Sequence, residues 1–181
     1  MKKTFIIIAI VAVIALIIGG IVLSSRKNSG EGIKFETAAE MQALIEKIYK
    51  DTEMPLQSLQ TAEMDVTDAE MVSYITGLKS NKDVEIAIMS EPMMTSQAYS
   101  LVMVKAKENA DVEAMKKEMV DNVDTRKWIC VTAEKVYATN SGNVIFLVMS
   151  SEELAKPVYE AFKKEANGQI GKELERTEEV L

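Results

Sequence analysis

Histidine is absent from all 181 residues, and that one absence removes several mechanisms together. Ser-His-Asp and Cys-His hydrolysis, His-ligated zinc and imidazole proton shuttling all need a side chain this chain does not have. Cysteine is almost as scarce: Cys130 stands alone, so no intramolecular disulfide forms and the domain is held by its core. That thiol follows Trp128 and Ile129 at the start of an apolar stretch, which predicts a small buried side chain rather than a nucleophile. The eight glycines are scattered, so there is no glycine-rich phosphate loop. Basic charge is short as well. Residues 28–181 carry 17 Lys plus Arg against 28 Asp plus Glu, a net charge of −11, and such a surface repels phosphate backbones. Nucleic acid is therefore not an expected partner, and no spacing of residues calls for a cofactor.

What the chain has in abundance is apolar length at its start. Phe5 to Leu23 is an uninterrupted run of nineteen uncharged residues behind Lys2 and Lys3. As a helix it would be roughly 28 Å long, enough for a bilayer core. The run is longer than a signal-peptide core and is followed by Arg26 and Lys27 rather than by an Ala-x-Ala site. It predicts an uncleaved signal anchor over residues 1–27, and hence a single-pass protein of the cell membrane with its N-terminus cytoplasmic and its domain extracellular. A Gly- and Ser-rich linker at 28–32 would lead into a domain over 33–166, followed by an acidic, disordered tail over 167–181.

Within the domain, helix starts are explicit. Thr37 to Glu40, Thr67 to Glu70 and Ser150 to Glu153 each fit the Ser/Thr-x-x-Glu capping box. The stripes Met41, Leu44, Ile45, Ile48, Tyr49 and Met71, Tyr74, Ile75, Leu78 recur at helical period, the second ending near Gly77. Val112, Met115, Met119 and Val123 form a third stripe with Asn109 as its expected N-cap, and Leu154, Val158 and Phe162 a fourth. Pro157 predicts a kink there or a late start at Lys156. Between the helices the period changes to two. Val84, Ile86 and Ile88 are expected on one strand face, with further strands over Tyr99 to Val104, Ile129 to Tyr137 and Val144 to Met149. The last two would be joined by an Asn140-Ser141-Gly142-Asn143 turn. The fold class is α+β: an N-terminal transmembrane helix, two helices, then an antiparallel sheet of about four strands in two strand-strand-helix units, one face covered by helices.

Three features invite a sharper reading. Met89, Met93, Met94 and Met103 fall near one hairpin, and thioethers can hold Cu(I), but strand positions and the lack of Met-x-Met spacing favour core packing. Asp65, Asp68 and Glu70, with Asp121 and Asp124, lack the EF-hand ligand order and read as helix caps and solvated faces. The connection Ser90 to Gln97 places two Met residues beside hydroxyls. It nominates Glu91, Met93, Met94 and Ser96 as a candidate binding edge, with no catalytic and no metal residues named. A Ser-Lys dyad is the one nucleophilic arrangement left open by the absence of histidine.

Glu91-Pro92-Met93, Val104-Lys105-Ala106-Lys107 and Phe146-Leu147-Val148-Met149 resemble the Pro-Met strand start, Val-Lys-Ala-Lys strand end and Phe-Val-Met strand of domain-of-unknown-function family 4358. The resemblance covers about residues 33–166. It implies a bacterial domain held outside the cytoplasmic membrane, in many members as a lipoprotein. Here no Cys follows the apolar run, so the chain departs from the family in its anchoring. The family brings no catalytic residues. The expected function is a membrane-tethered, non-enzymatic binding module with a cell-envelope protein as partner and the membrane engaged through residues 5–23. The alternatives are a His-independent Ser/Lys hydrolase and a small-ligand or metal sensor.

Overall fold

The structure is a computed structural model that describes residues 32–94 and 96–179. Helix α1 (Ala38–Asp51) begins with the expected capping box: Thr37 accepts from the Glu40 N–H while Glu40 accepts from the Thr37 N–H. Its Met41, Ile45 and Ile48 are wholly buried, each contributing about 1.5–3 kcal/mol by burial. Strand β1 (Leu59–Glu63) and helix α2 (Ala69–Thr76) follow, then β2 (Val84–Pro92), β3 (Ser100–Ala106), α3 (Val112–Asn122), β4 (Lys135–Ser141), β5 (Val144–Ser150), α4 (Glu152–Glu165) and β6 (Leu174–Thr177).

All strand pairs are antiparallel, in the order β1-β2-β3-β5-β4-β6. The hairpins β2-β3 and β4-β5 therefore lie back to back, their second strands paired at the centre through Val102 and Leu147. Helices α1 and α4 cover one face around Leu101, Met103, Phe146 and Val148, where the Phe146 and Phe162 rings stack at 4.3 Å. Helices α2 and α3 cover the other around Val102, Val104, Ile145 and Leu147.

Several expectations are corrected. The sheet has six strands rather than about four, because β1 and β6 add an edge strand to each hairpin. Both faces are covered rather than one, which explains why Leu101 to Val104 and Val144 to Met149 are continuous apolar runs instead of alternating ones. The supposed disordered tail supplies β6. Arg176 donates from its guanidinium to the carbonyls of Val120 and Val123, where α3 ends and its dipole favours a cation. Its Nε sits 2.9 Å from Glu178 Oε1 as an ion pair, without a linear hydrogen bond.

Val84, Ile86 and Ile88 do not share a face. A register shift between Val84 and Ile86 sends Val84 into the core under α2 and α3, and Ile86 and Ile88 into the other. The caps move too: Asp68 caps α2 in place of Thr67, Asp111 caps α3 in place of Asn109, and Ser151 precedes α4 without a side-chain cap bond. Pro157 is accommodated inside α4, which starts at Glu152 and not at Lys156.

Residues 5–23, on which the transmembrane helix was expected, lie outside the described residues, and no helix among those described is long and apolar enough to cross a membrane. The transmembrane element of the fold and the single-pass cell-membrane placement are accordingly corrected, since no spanning element supports them.

Candidate interaction site

At the end of β2, Ser90 and Glu91 point to opposite sides of the sheet, and each organises a polar cluster. Ser90 is wholly buried and meets hydroxyls from two other elements. Its Oγ accepts from Tyr49 of α1 at 2.8 Å and lies 2.8 Å from Thr61 Oγ1 of β1, while Tyr99 donates to the Tyr49 oxygen at 3.1 Å. Burial pushes the Tyr49 phenol up to about 12 and holds Tyr99 well above its ordinary value. This chain of hydroxyls ties α1 to the edge of the sheet, with Ser90 and Tyr99 wholly buried and Tyr49 and Thr61 half-buried.

Glu91 organises the other side. Its carboxylate accepts from Lys127 and, at 2.7 Å, from the Ser100 hydroxyl of β3. The Lys127 side chain is only 2% exposed, and its Nζ lies 3.3 Å from Ser100 Oγ. The same ammonium stands 5.4 Å from the centre of the Trp128 ring and 5.7 Å from that of Tyr74 on α2. A serine and a lysine are thus brought together, yet not as a nucleophile and base. Ser100 is wholly buried on a central strand and donates its hydroxyl hydrogen bond to Glu91, while Lys127 is engaged as a donor to both partners. The cluster is a tertiary clasp joining the β2 end, β3 and the loop that precedes β4.

Around this clasp the apolar surface is unusual. Among the described residues the exposed large apolar side chains are Met71, Tyr74, Met93, Met94 and Ile129, with Met93 73% and Ile129 66% exposed. They belong to three segments, and all three meet at Lys127: α2 through the Tyr74 ring, the β2 end through Glu91, and the loop carrying Trp128 and Ile129. The chain turns outward where these side chains sit. The Met93 N–H is held by the Ser58 carbonyl at 3.2 Å, Ser58 itself having φ 57, and Cys130 has φ 58.

Of the nominated residues, Glu91 is half-buried in the clasp, whereas Met93, Met94 and Ser96 are exposed on the connection beyond it. Sequence reading missed Lys127, Ser100, Tyr74 and Ile129. The adjacency Lys127-Trp128-Ile129 is the available signal, but the strand expected over Ile129 to Tyr137 leaves Lys127 and Trp128 outside it. β4 starts only at Lys135, after a loop closed by the Ala133 N–H on the Thr125 carbonyl at 2.9 Å. Cys130 falls on that loop and is exposed, which corrects its expected burial.

A shallow groove of about 240 Å³ continues from the same connection, lined by Leu56, Gln97, Ala98, Val131, Thr132 and Leu154. A second, of about 330 Å³ between α4 and β6, is rich in carboxylates. Those are met by the chain's own ammonium groups: Lys156 on Glu152 at 3.2 Å, Lys163 on Glu173 at 3.0 Å and Lys135 on Glu175 at 2.5 Å. Among the described residues no group of three or more Cys, Asp or Glu is placed to hold a metal ion. Comparison of the chain with protein-family models, curated proteins and solved structures finds no match.

Proposed function

We propose that this α+β domain is a non-enzymatic binding module that engages a protein partner through the apolar surface around Lys127. The observation that carries this reading is the convergence of three chain segments, which together present five large exposed apolar side chains, on one ion pair whose lysine is buried. Isolated surface apolar residues are ordinary, but a group rimmed by polar residues and fixed from beneath marks a contact site. The clasp supports the site mechanically, holding the loop of Ile129 and the connection of Met93 and Met94 in register with α2. The likeness to domain-of-unknown-function family 4358 stays a proposal that rests on three motifs. They fall at the end of β2, the end of β3 and within β5.

Site-specific photo-cross-linking of the full chain in its own cells tests this function. A cross-linker replacing Met94 is expected to give an adduct of reproducible mass that a cross-linker at exposed Lys50 on α1 does not give. Equal adduct patterns at both positions would remove the surface from the proposal.

A further inference from the structure

We propose that the apolar surface around Lys127 receives a cationic amphipathic helix, an assignment that rests on the binding-module reading above. The first argument is charge. From Asp51 to Leu78 the chain carries six carboxylates and no Lys or Arg, with Lys79 and Lys82 following, and from Asp83 to Val104 three more carboxylates, of which Glu85 is paired with Lys105 and Glu91 with Lys127. These two stretches supply α2 with Met71 and Tyr74, and the connection with Met93 and Met94. On α2, Asp68 and Glu70 are exposed beside Met71, and Glu70 lies one turn from Tyr74. The third segment contributes Asp124 and Arg126, which cancel, and Lys127, whose charge is spent on Glu91. The apolar side chains of α2 therefore stand beside exposed acid, and the other two segments add no net positive charge to offset it.

The second argument is the kind of apolar group. Three of the five exposed side chains are methionines, unbranched and polarizable, which repack around the apolar face of a helix. The surface offers side chains from a helix, a connection and a loop, so it suits a partner read through side chains. A second copy of this chain would bring the same exposed acid against this one, and an anionic lipid surface would be repelled by it. A helix with Leu on one face and Lys or Arg on the other satisfies both the apolar side chains and the acid beside them.

The chain contains one tryptophan, Trp128, 9% exposed and in contact with Lys127, so its fluorescence reports on the site directly. The full chain is titrated with a synthetic Leu/Lys helix of about eighteen residues, or five turns, and with a Leu/Glu helix having the same apolar face. A saturable Trp128 emission shift with the Leu/Lys peptide is expected. Affinity should be at least about tenfold weaker for the Leu/Glu peptide, and should fall about tenfold in a Met93→Ser, Met94→Ser variant and several-fold in Glu70→Gln. All three substituted residues are exposed, so an unchanged circular-dichroism melt distinguishes lost contact from lost folding.

Equal binding of both peptides, or binding untouched by the methionine and Glu70 substitutions, overturns the cationic assignment. A Trp128 shift that appears without peptide as protein concentration rises, together with dimer in sedimentation, overturns it in favour of a second copy. Absence of Leu/Lys binding while the Met94 adduct still forms overturns this inference and leaves the binding module standing. Absence of both removes the two together.

Discussion

Replacing Lys127 with Met keeps the unbranched stem and deletes only the ammonium, so it isolates what the buried clasp contributes. The side chain is 2% exposed, while Glu91 is 22% exposed. Removing one partner of a fully buried pair costs about 3–5 kcal/mol, because the other charge is stranded. Water reaches Glu91 in part, and Ser100 still donates to it at 2.7 Å, so the expected cost is lower, at about 2–3 kcal/mol. For a domain of this size that corresponds to roughly 4–12 °C in melting temperature. Urea unfolding followed by Trp128 emission and by far-ultraviolet circular dichroism measures it. Glu91→Gln and the double variant complete a cycle, with a coupling of about 1.5 kcal/mol expected. The coupling should persist in about 1 M salt, because a pair this buried is screened little. A coupling below about 0.5 kcal/mol, the range of an exposed pair, would refute the clasp as the support of the site.

Arg176→Ala should release β6 from the end of α3, costing about 1–3 kcal/mol for two charge-assisted bonds to carbonyls and accelerating amide exchange first at Leu174 to Thr177. Gly77→Ala should cost about 2–4 kcal/mol in chemical denaturation, because φ is 78° and a Cβ there would lie 2.6 Å from the Val123 backbone nitrogen; a change below about 0.5 kcal/mol would contradict that close approach. The Tyr49 phenol, raised by burial to about 12, is neutral in the fold and should ordinarily ionise near 10 when unfolded. Its contribution to stability is thus fully present below about pH 10 and is lost as pH rises through about 12, so the part of the tyrosinate absorbance that Tyr49→Phe removes should appear together with unfolding, and Tyr49→Phe should lessen that alkaline loss.

The parts of this fold visible in the sequence are those whose cause is local. The Thr37–Glu40 box fixes the start of α1, and Gly77 ends α2 in the left-handed region, because caps are satisfied within a few residues. The runs at Leu101 to Val104 and Val144 to Met149 carried the evidence for a sheet covered on both faces, yet their lack of alternation is recognised only once helices are seen on each side. β1 and β6 exist for non-local reasons. Leu59 to Glu63 is an edge strand with no fully buried residue, ordered by pairing with β2, and Leu174 to Thr177 is a charged stretch held by β4 and by the α3 carbonyls.

The candidate site divides in the same way. Two adjacent methionines in a connection break the strand period, so Met93 and Met94 stood out. Tyr74 did not, because Met71, Tyr74, Ile75 and Leu78 fit a helical stripe. The helix is turned so that Val72, Ile75 and Thr76 face inward, leaving Met71 and Tyr74 outside. Lys127 lies 36 residues from Glu91, and nothing local to either position announces the other. An ion pair across that separation is selected by what surrounds it: two aromatic rings that accept the ammonium, a strand hydroxyl that shares the carboxylate, and a loop between α3 and β4 whose Trp128 is packed in the core. Loop, connection and helix face meet at that pair. It follows that a substitution at buried Lys127 should weaken partner binding although the lysine itself presents almost nothing to a partner.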